Sequence, residues 1–111
     1  MVARGWVPDA GDIIWIDFDP QAGHEQAGHR PAIVLSPAAY NQLSGLLLCV
    51  PMTTRAKGYR FEVPLAGKRD GVALADQVKS FDWRVRRATK KGRISEAELE
   101  AVRIRARRLI G

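Results

Sequence analysis

Cysteine is almost missing from this chain: Cys49 is the only one in 111 residues. A lone thiol excludes an intramolecular disulfide and fits a reducing compartment. No apolar run approaches the about 18 residues needed to span a bilayer, and the opening MVARGWVPDAGD has no apolar signal core. No membrane partner is expected, and a cytoplasmic location is. Familiar metal-ligand spacing is also lacking. His24 and His29 stand five apart, Cys49 is isolated, and no carboxylate pair joins them. Neither the phosphate-cradling P-loop pattern nor GxGxxG occurs. The chemistry is therefore expected to use no metal and no cofactor. Repeats and low-complexity tracts are absent, so residues 1–111 read as a single domain.

Acidic residues are the minority, 12 against 18 Lys and Arg, for a net charge of +6. That balance favours a polyanion or an acidic protein as partner. The bias is local: Lys and Arg crowd the segment from Lys79 to Arg93, where Asp82 is the sole acid. Such density suits a footprint for phosphates.

Hydrophobic residues make up 46%, enough for a small core. The first eleven residues read as an arm. Asp12–Phe18 is rich in β-branched and aromatic side chains and predicts a strand. Pro31–Ser36 predicts a second, and Pro37–Asn41 one helical turn capped by Ser36, broken at Ser44-Gly45. Leu46–Met52 is apolar without alternation, so a central strand is expected, with Pro51 near its end or at a bulge. Tyr59–Leu65 alternates, placing Phe61, Val63 and Leu65 on one face and Arg60 and Glu62 on the other. Residues 67–71 turn the chain, 72–78 return it, and 81–86 add a short sixth strand. Ser95 and Glu98 form a capping box ahead of an apolar stripe of Leu99, Val102, Ala106 and Leu109, so the chain ends in a helix. The pattern predicts a mostly β (α+β) domain, a small antiparallel barrel with a C-terminal helix.

The loop before the second strand concentrates polar chemistry. Glu25, Gln26, His29 and Arg30 fall within six residues, where a Gly-rich loop meets a rigid strand. With Thr53, Thr54, Gln77 and Lys79 they make a cluster that suits RNA cleavage. RNA carries its own nucleophile, the 2′-hydroxyl. A protein need only align the attack, move two protons and stabilise the phosphoryl oxygens. The planar fork of Arg matches the last task. Arg55, Lys57, Lys79, Arg84 and Arg86 read together as a track for the RNA backbone. Phe18, near the loop, is expected to stack on a base. Trp15 and Trp83 read as packing anchors.

Several segments together resemble the MazF toxins, endoribonucleases of bacterial toxin–antitoxin pairs. They are GDIIWIDFDP (11–20), EQAGHRPAIVLSP (25–37), CVPMTTRAKGYRFEV (49–63), DGVALADQVKS (70–80) and ATKKG (88–92), followed by the final helix. The resemblance implies an SH3-like barrel acting as a homodimer. It implies metal-independent cutting of single-stranded RNA at a short motif, leaving a 2′,3′-cyclic phosphate and a 5′-hydroxyl. It further implies Arg30 as the principal catalytic residue, Thr53 as holder of the scissile phosphate, Glu25 in support, and an acidic MazE-like antitoxin as inhibitor. His24 departs from close relatives in the recognition loop, which leaves the motif open. Two other functions compete on such a barrel: a non-enzymatic toxin that binds DNA gyrase, and an RNA-binding module without turnover.

Overall fold

The computed structural model describes residues 5–18, 28–66 and 71–111. Among them are seven strands and two helices. In chain order these are β1 (Asp12–Asp17), β2 (His29–Val34), α1 (Ala38–Ser44), β3 (Leu46–Thr53), β4 (Glu62–Leu65), β5 (Gly71–Leu74), β6 (Lys79–Asp82), β7 (Thr89–Arg93) and α2 (Glu96–Ile110). Every pairing is antiparallel, in the order β4-β5-β3-β2-β1-β7, with β6 also on β3. The sheet curls into a half-barrel in which β4 and β7 end the main strand order and β6 is paired on β3 alone among the described residues.

Alternation sorts the side chains onto two faces. Ile14, Ile16, Phe18, Ala32, Val34, Leu47, Cys49, Phe81 and Trp83 build one cluster, which Trp6 and Val7 of the arm also join. Ile33, Val50, Val63, Leu65 and Ala73 build the other, closed by Leu99 and Val102 of α2. Residues 5–11 of the arm are thus packed, though they form no strand or helix. The Gly11 amide donates to the Val34 carbonyl and its carbonyl accepts from Ile94. At φ +92° Gly11 holds a turn that a side chain would strain, with Arg93 against it.

β3 is central, as its unbroken apolar run suggested. It pairs with β2 along 49–51, while its other edge pairs with β6 over 46–49 and with β5 over 52–53. Pro51 falls between these two partners, where its missing N–H costs no ladder bond.

The predicted boundaries shift in several places. The strand expected from Tyr59 begins only at Glu62, and Glu62 is buried rather than facing solvent. Its carboxylate accepts the amides of Lys57 and Gly58, pinning the loop after β3. The return strand stops at Leu74, followed by a turn. The sixth strand lies at 79–82, because residues 83–87 turn, with Asp82 Oδ1 accepting the amides of Arg84 and Val85. β7 was not anticipated, since TKKGR carries no apolar residue to betray a strand. The expected turn at 67–70 lies outside the described residues.

α1 runs for two turns, with Pro37 as its N-cap residue and Gly45 closing it at φ 75°. Ser36 does not cap it. The Ser36 hydroxyl instead donates to Asn41 Oδ1 and accepts the Leu48 amide. Asn41 is fully buried, and its Nδ2 donates to the carbonyls of Pro8 and Ser36. Its own carbonyl accepts from Trp83 Nε1. One side chain thus ties the arm, α1 and the β2–β3 connection together. The capping box of α2 forms as expected, and Glu98 also accepts the Ala66 amide. The hydrogen bond from the Ser95 amide, then that from Ala66, hold the Glu98 carboxyl below its ordinary range against some desolvation.

Asn41→Ala strands buried partners on three segments and is expected to lower unfolding free energy by about 1–3 kcal/mol. Asn41→Asp, which cannot donate to the two carbonyls, should fare no better. Urea unfolding monitored by circular dichroism measures both, and a loss within experimental error of zero would deny Asn41 this role.

Candidate functional site

The concave side of the half-barrel leaves a cleft of about 750 Å³ between β4 and β7. Apolar residues such as Ile13, Leu65 and Ile94 line it, together with Arg30, Thr53, Thr54, Lys91 and Arg93. The β2–β3 register pairs Ala32 with Pro51 and Ile33 with Val50. Carried two residues past the ladder, it sets Arg30 opposite Thr53. Both residues share the parity of Ala32, Val34 and Cys49, and beyond the end of the ladder both line the cleft.

Arg30 is half-buried, and its Nε is buried with no hydrogen-bond partner among the described residues. An orphan donor of this kind is costly to keep and calls for an explanation. A salt bridge to Asp17 is not that explanation, because Asp17 is engaged with His29 at 2.6 Å and Arg87 at 3.7 Å. Thr53 Oγ1 accepts the Arg55 amide, which leaves its proton available to donate.

His29 pairs with Asp17 across the β1–β2 ladder, and its Nδ1 meets Asp17 Oδ1 at 2.6 Å. That hydrogen bond, more than the nearby charges of His29 and Arg87, holds the Asp17 carboxyl below its ordinary range, while desolvation opposes it. A carboxylate only accepts, so Nδ1 carries the proton. The His29 ring lies parallel to that of Trp15, 5.8 Å between centroids and 7° between planes.

The other expected site residues scatter. Arg55 and Lys57 are exposed on the loop that Glu62 anchors. Gln77 sits in the turn between β5 and β6, and Lys79 begins β6 opposite Cys49. Arg84 and Arg86 do not line the cleft. Arg84 lies over the Trp83 ring, and Arg86 lies over Phe81 and donates to the Asp17 carbonyl. Glu25 and Gln26, with His24, lie outside the described residues.

Two aromatic expectations reverse. Phe18 is 3% exposed and packs edge-on against Phe81, so it offers no free face to a base. It has the parity of Ile14 and Ile16, and that parity is the signal that marks it as core. Trp15, expected as a packing anchor, is half-exposed and lines the cleft. Trp83 is a packing anchor, buried with its Nε1 bonded.

Lys91 and Arg93 are the cleft cations that sequence reasoning passed over. Ile13 pairs with Gly92 and Ile14 with Lys90, so Lys91 is the extra residue of a β-bulge. Bulges re-aim side chains, and here the Lys91 ammonium comes within 5.6 Å of the Trp15 ring centre. Arg93 donates to Asp12, a carboxylate 2% exposed, at 2.8 Å. The crowding of cations from Lys79 onward was the available signal. Cys49 is no nucleophile, since burial pushes its thiol up to about 12.

Comparison with known proteins agrees with this fold. Residues 9–110 match the family described as PemK-like, MazF-like toxin of type II toxin-antitoxin system. The chain is 62% identical to the endoribonuclease toxin MazF of Escherichia coli over the whole of both chains. It is 38% identical to the endoribonuclease toxin ChpB of that organism, over 92% of this chain and 93% of ChpB. Among solved structures it superposes on MazF from Deinococcus radiodurans with a TM-score of 0.91 at 52% identity, covering 96% of this chain and 98% of that one. A MazE–MazF structure from the same organism gives 0.82 at 44% identity, with 96% and 98% covered. A full-length match in sequence, joined to the same half-barrel in space, places this chain in the PemK-like, MazF-like family of type II toxins.

Proposed function

We propose that this protein is an endoribonuclease toxin that cuts single-stranded RNA, mRNA included, at a short motif without a metal ion. The register that sets Arg30 opposite Thr53, with a buried guanidinium Nε that has no partner among the described residues, carries the reading. Arg30 binds the phosphoryl oxygens as negative charge grows on them. Thr53 donates its hydroxyl to the same phosphate. The 2′-oxygen forms a bond to phosphorus and the 5′-oxygen leaves, so the products are a 2′,3′-cyclic phosphate and a 5′-hydroxyl. The proton lost by the 2′-oxygen passes to a base and another is given to the leaving oxygen. Glu25 supports this chemistry from the loop, with Gln26 beside it. Thr54, Arg55, Lys57, Gln77 and Lys79 contribute to the backbone track, and Lys91 joins them, whereas Arg84 and Arg86 lie over core rings away from the cleft. DNA gyrase binding requires neither Arg30 nor Thr53, and nothing in the cleft favours it.

The same positive field suits an acidic inhibitor. The protein acts as a homodimer held silent by a small MazE-like antitoxin, whose acidic tail runs across Arg30 and the Thr53–Gly58 loop. The similarity of this chain to the MazF of a solved MazE–MazF structure supports a partner of this kind.

Purified protein incubated with a defined RNA in EDTA should release fragments ending in a cyclic phosphate, and an all-deoxy strand should stay intact. A strict need for added Mg²⁺ or Zn²⁺, or efficient cutting of the deoxy strand, would sink the mechanism. Arg30→Ala is expected to lose about 10²–10³ in rate for the oxyanion contact alone, while folding normally by circular dichroism. Arg30→Lys should restore little, because an ammonium lacks the planar fork. Near-full activity in Arg30→Ala would move the catalytic role elsewhere. The acidic partner should displace a fluorescent, uncleavable RNA from the toxin dimer. Simultaneous binding with neither affinity reduced would rule out inhibition by site occupation.

A further inference from the structure

The stack of His29 on Trp15 has no part in the phosphate chemistry just described. Successive residues of a strand point to opposite faces, so the His29 imidazole does not share the face of the Arg30 guanidinium. His29 takes the parity of Pro31 and Ile33 and, across the β1–β2 ladder, of Trp15, which lines the cleft together with Arg30 and Lys91.

Its ring is fixed in three ways. Nδ1 is held by Asp17 at 2.6 Å. Asp17 is itself held, through its carboxylate by Arg87 and through its carbonyl by Arg86. Trp15 backs one ring face in a near-parallel stack. Yet 47% of the His29 side chain remains exposed. An aromatic ring held at its edge by Asp17 and stacked on Trp15, with nearly half of its side chain still exposed, is suited to contact with another flat ring. A packing role would have covered it.

We propose that His29 is a stacking seat for one unpaired base of the bound RNA, with Trp15 as its backing and Asp17 as its positioning residue. This inference rests on the ribonuclease reading. Single-stranded nucleic acid offers a π face at every base, and such stacks are commonly used to hold it. A base stands several ångströms from its own phosphate, so a strand whose phosphate sits at Arg30 can lay a neighbouring base over the adjacent strand position. The imidazole Nε2 stays unbound by Asp17 and lies at the rim of the seat, where it can meet the edge of the base. The rival role for a carboxylate-bound histidine is proton transfer. Opposed parity to Arg30 argues against it, and kinetics separates the two.

The cut is first mapped on a mixed-sequence RNA. A short oligoribonucleotide spanning that cut, with a single 2′-deoxy sugar at the attacking nucleotide, then serves as the uncleavable probe. A matching series carries one abasic site at each position in turn. Anisotropy titrations compare the wild type with His29→Ala and His29→Phe. His29→Ala is expected to weaken binding about tenfold or more, and its loss in cleavage should fall in KM rather than kcat. His29→Phe should recover most of the affinity, since it restores a ring. One abasic position should weaken the wild type by a similar factor and cost nothing further in His29→Ala. A fall in kcat of several orders in both variants would make His29 a proton-transfer group and overturn the seat. Equal sensitivity to every abasic position in wild type and His29→Ala would overturn it as well. Protein that neither binds nor cuts any RNA would bring down the ribonuclease reading and the seat together, whereas cutting without coupling at His29 removes the seat alone.

Discussion

One strand must serve three partners, and the rest of the structure follows from how β3 does it. Its one edge holds β2, while its other edge is divided between β6 and β5. The division splits the sheet at β3, with β6 on the first half of that edge and β5 followed by β4 on the second. Pro51 is fully buried at the division. Any other residue would leave a backbone N–H there with no ladder acceptor, and a buried unpaired donor is a real cost. The same geometry ends the β2–β3 ladder two residues short of Arg30 and Thr53. Each is instead held from its other side, Arg30 by Ile16 of β1 and Thr53 by Val72 of β5, so both backbones are fixed where they line the cleft.

What could be read in advance depended on apolar content. β1, β2 and β3 announced themselves through Ile, Val, Leu and Trp, and α2 through its capping box and stripe. β7 stayed hidden because backbone hydrogen bonds to β1 hold it, and its side chains supply no hydrophobic signal. Glu62 misled for a related reason. Alternation placed it toward solvent, but two loop amides supply the partners a buried carboxylate needs. Arg30 and Thr53 were legible as a chemical pair through family resemblance. Their cross-strand relation depends on register, which is set by long-range pairing and is not written in either segment alone.

Net charge overstated the footprint available to phosphates. Several cations of this chain are engaged in holding it together. Arg93 neutralises the buried Asp12 with help from Lys90. Arg103 and Arg105 donate to the carbonyls of Leu35 and Arg60 and so fasten α2 to the sheet. Arg84 and Arg86 cover aromatic rings of the core. A positive balance is thus partly a fastening system. The cations that remain at the cleft are selected by a bulge and a strand end, not by their density in the sequence.

The edges of the half-barrel at β4 and β7 bear on solubility. An open sheet edge is a template on which another chain can add a strand, and unprotected edges invite aggregation. β7 presents Lys90, Lys91 and Arg93 along its length, so two such edges repel each other. β4 carries Pro64 at a position where β5 takes no bond, since Phe61 and Ala75 fix the alternation of the ladder. Its outward side therefore lacks one of the donors that a foreign strand would need. The cleft can stay open between these edges because each edge refuses copies of itself, one by charge and the other by a missing hydrogen.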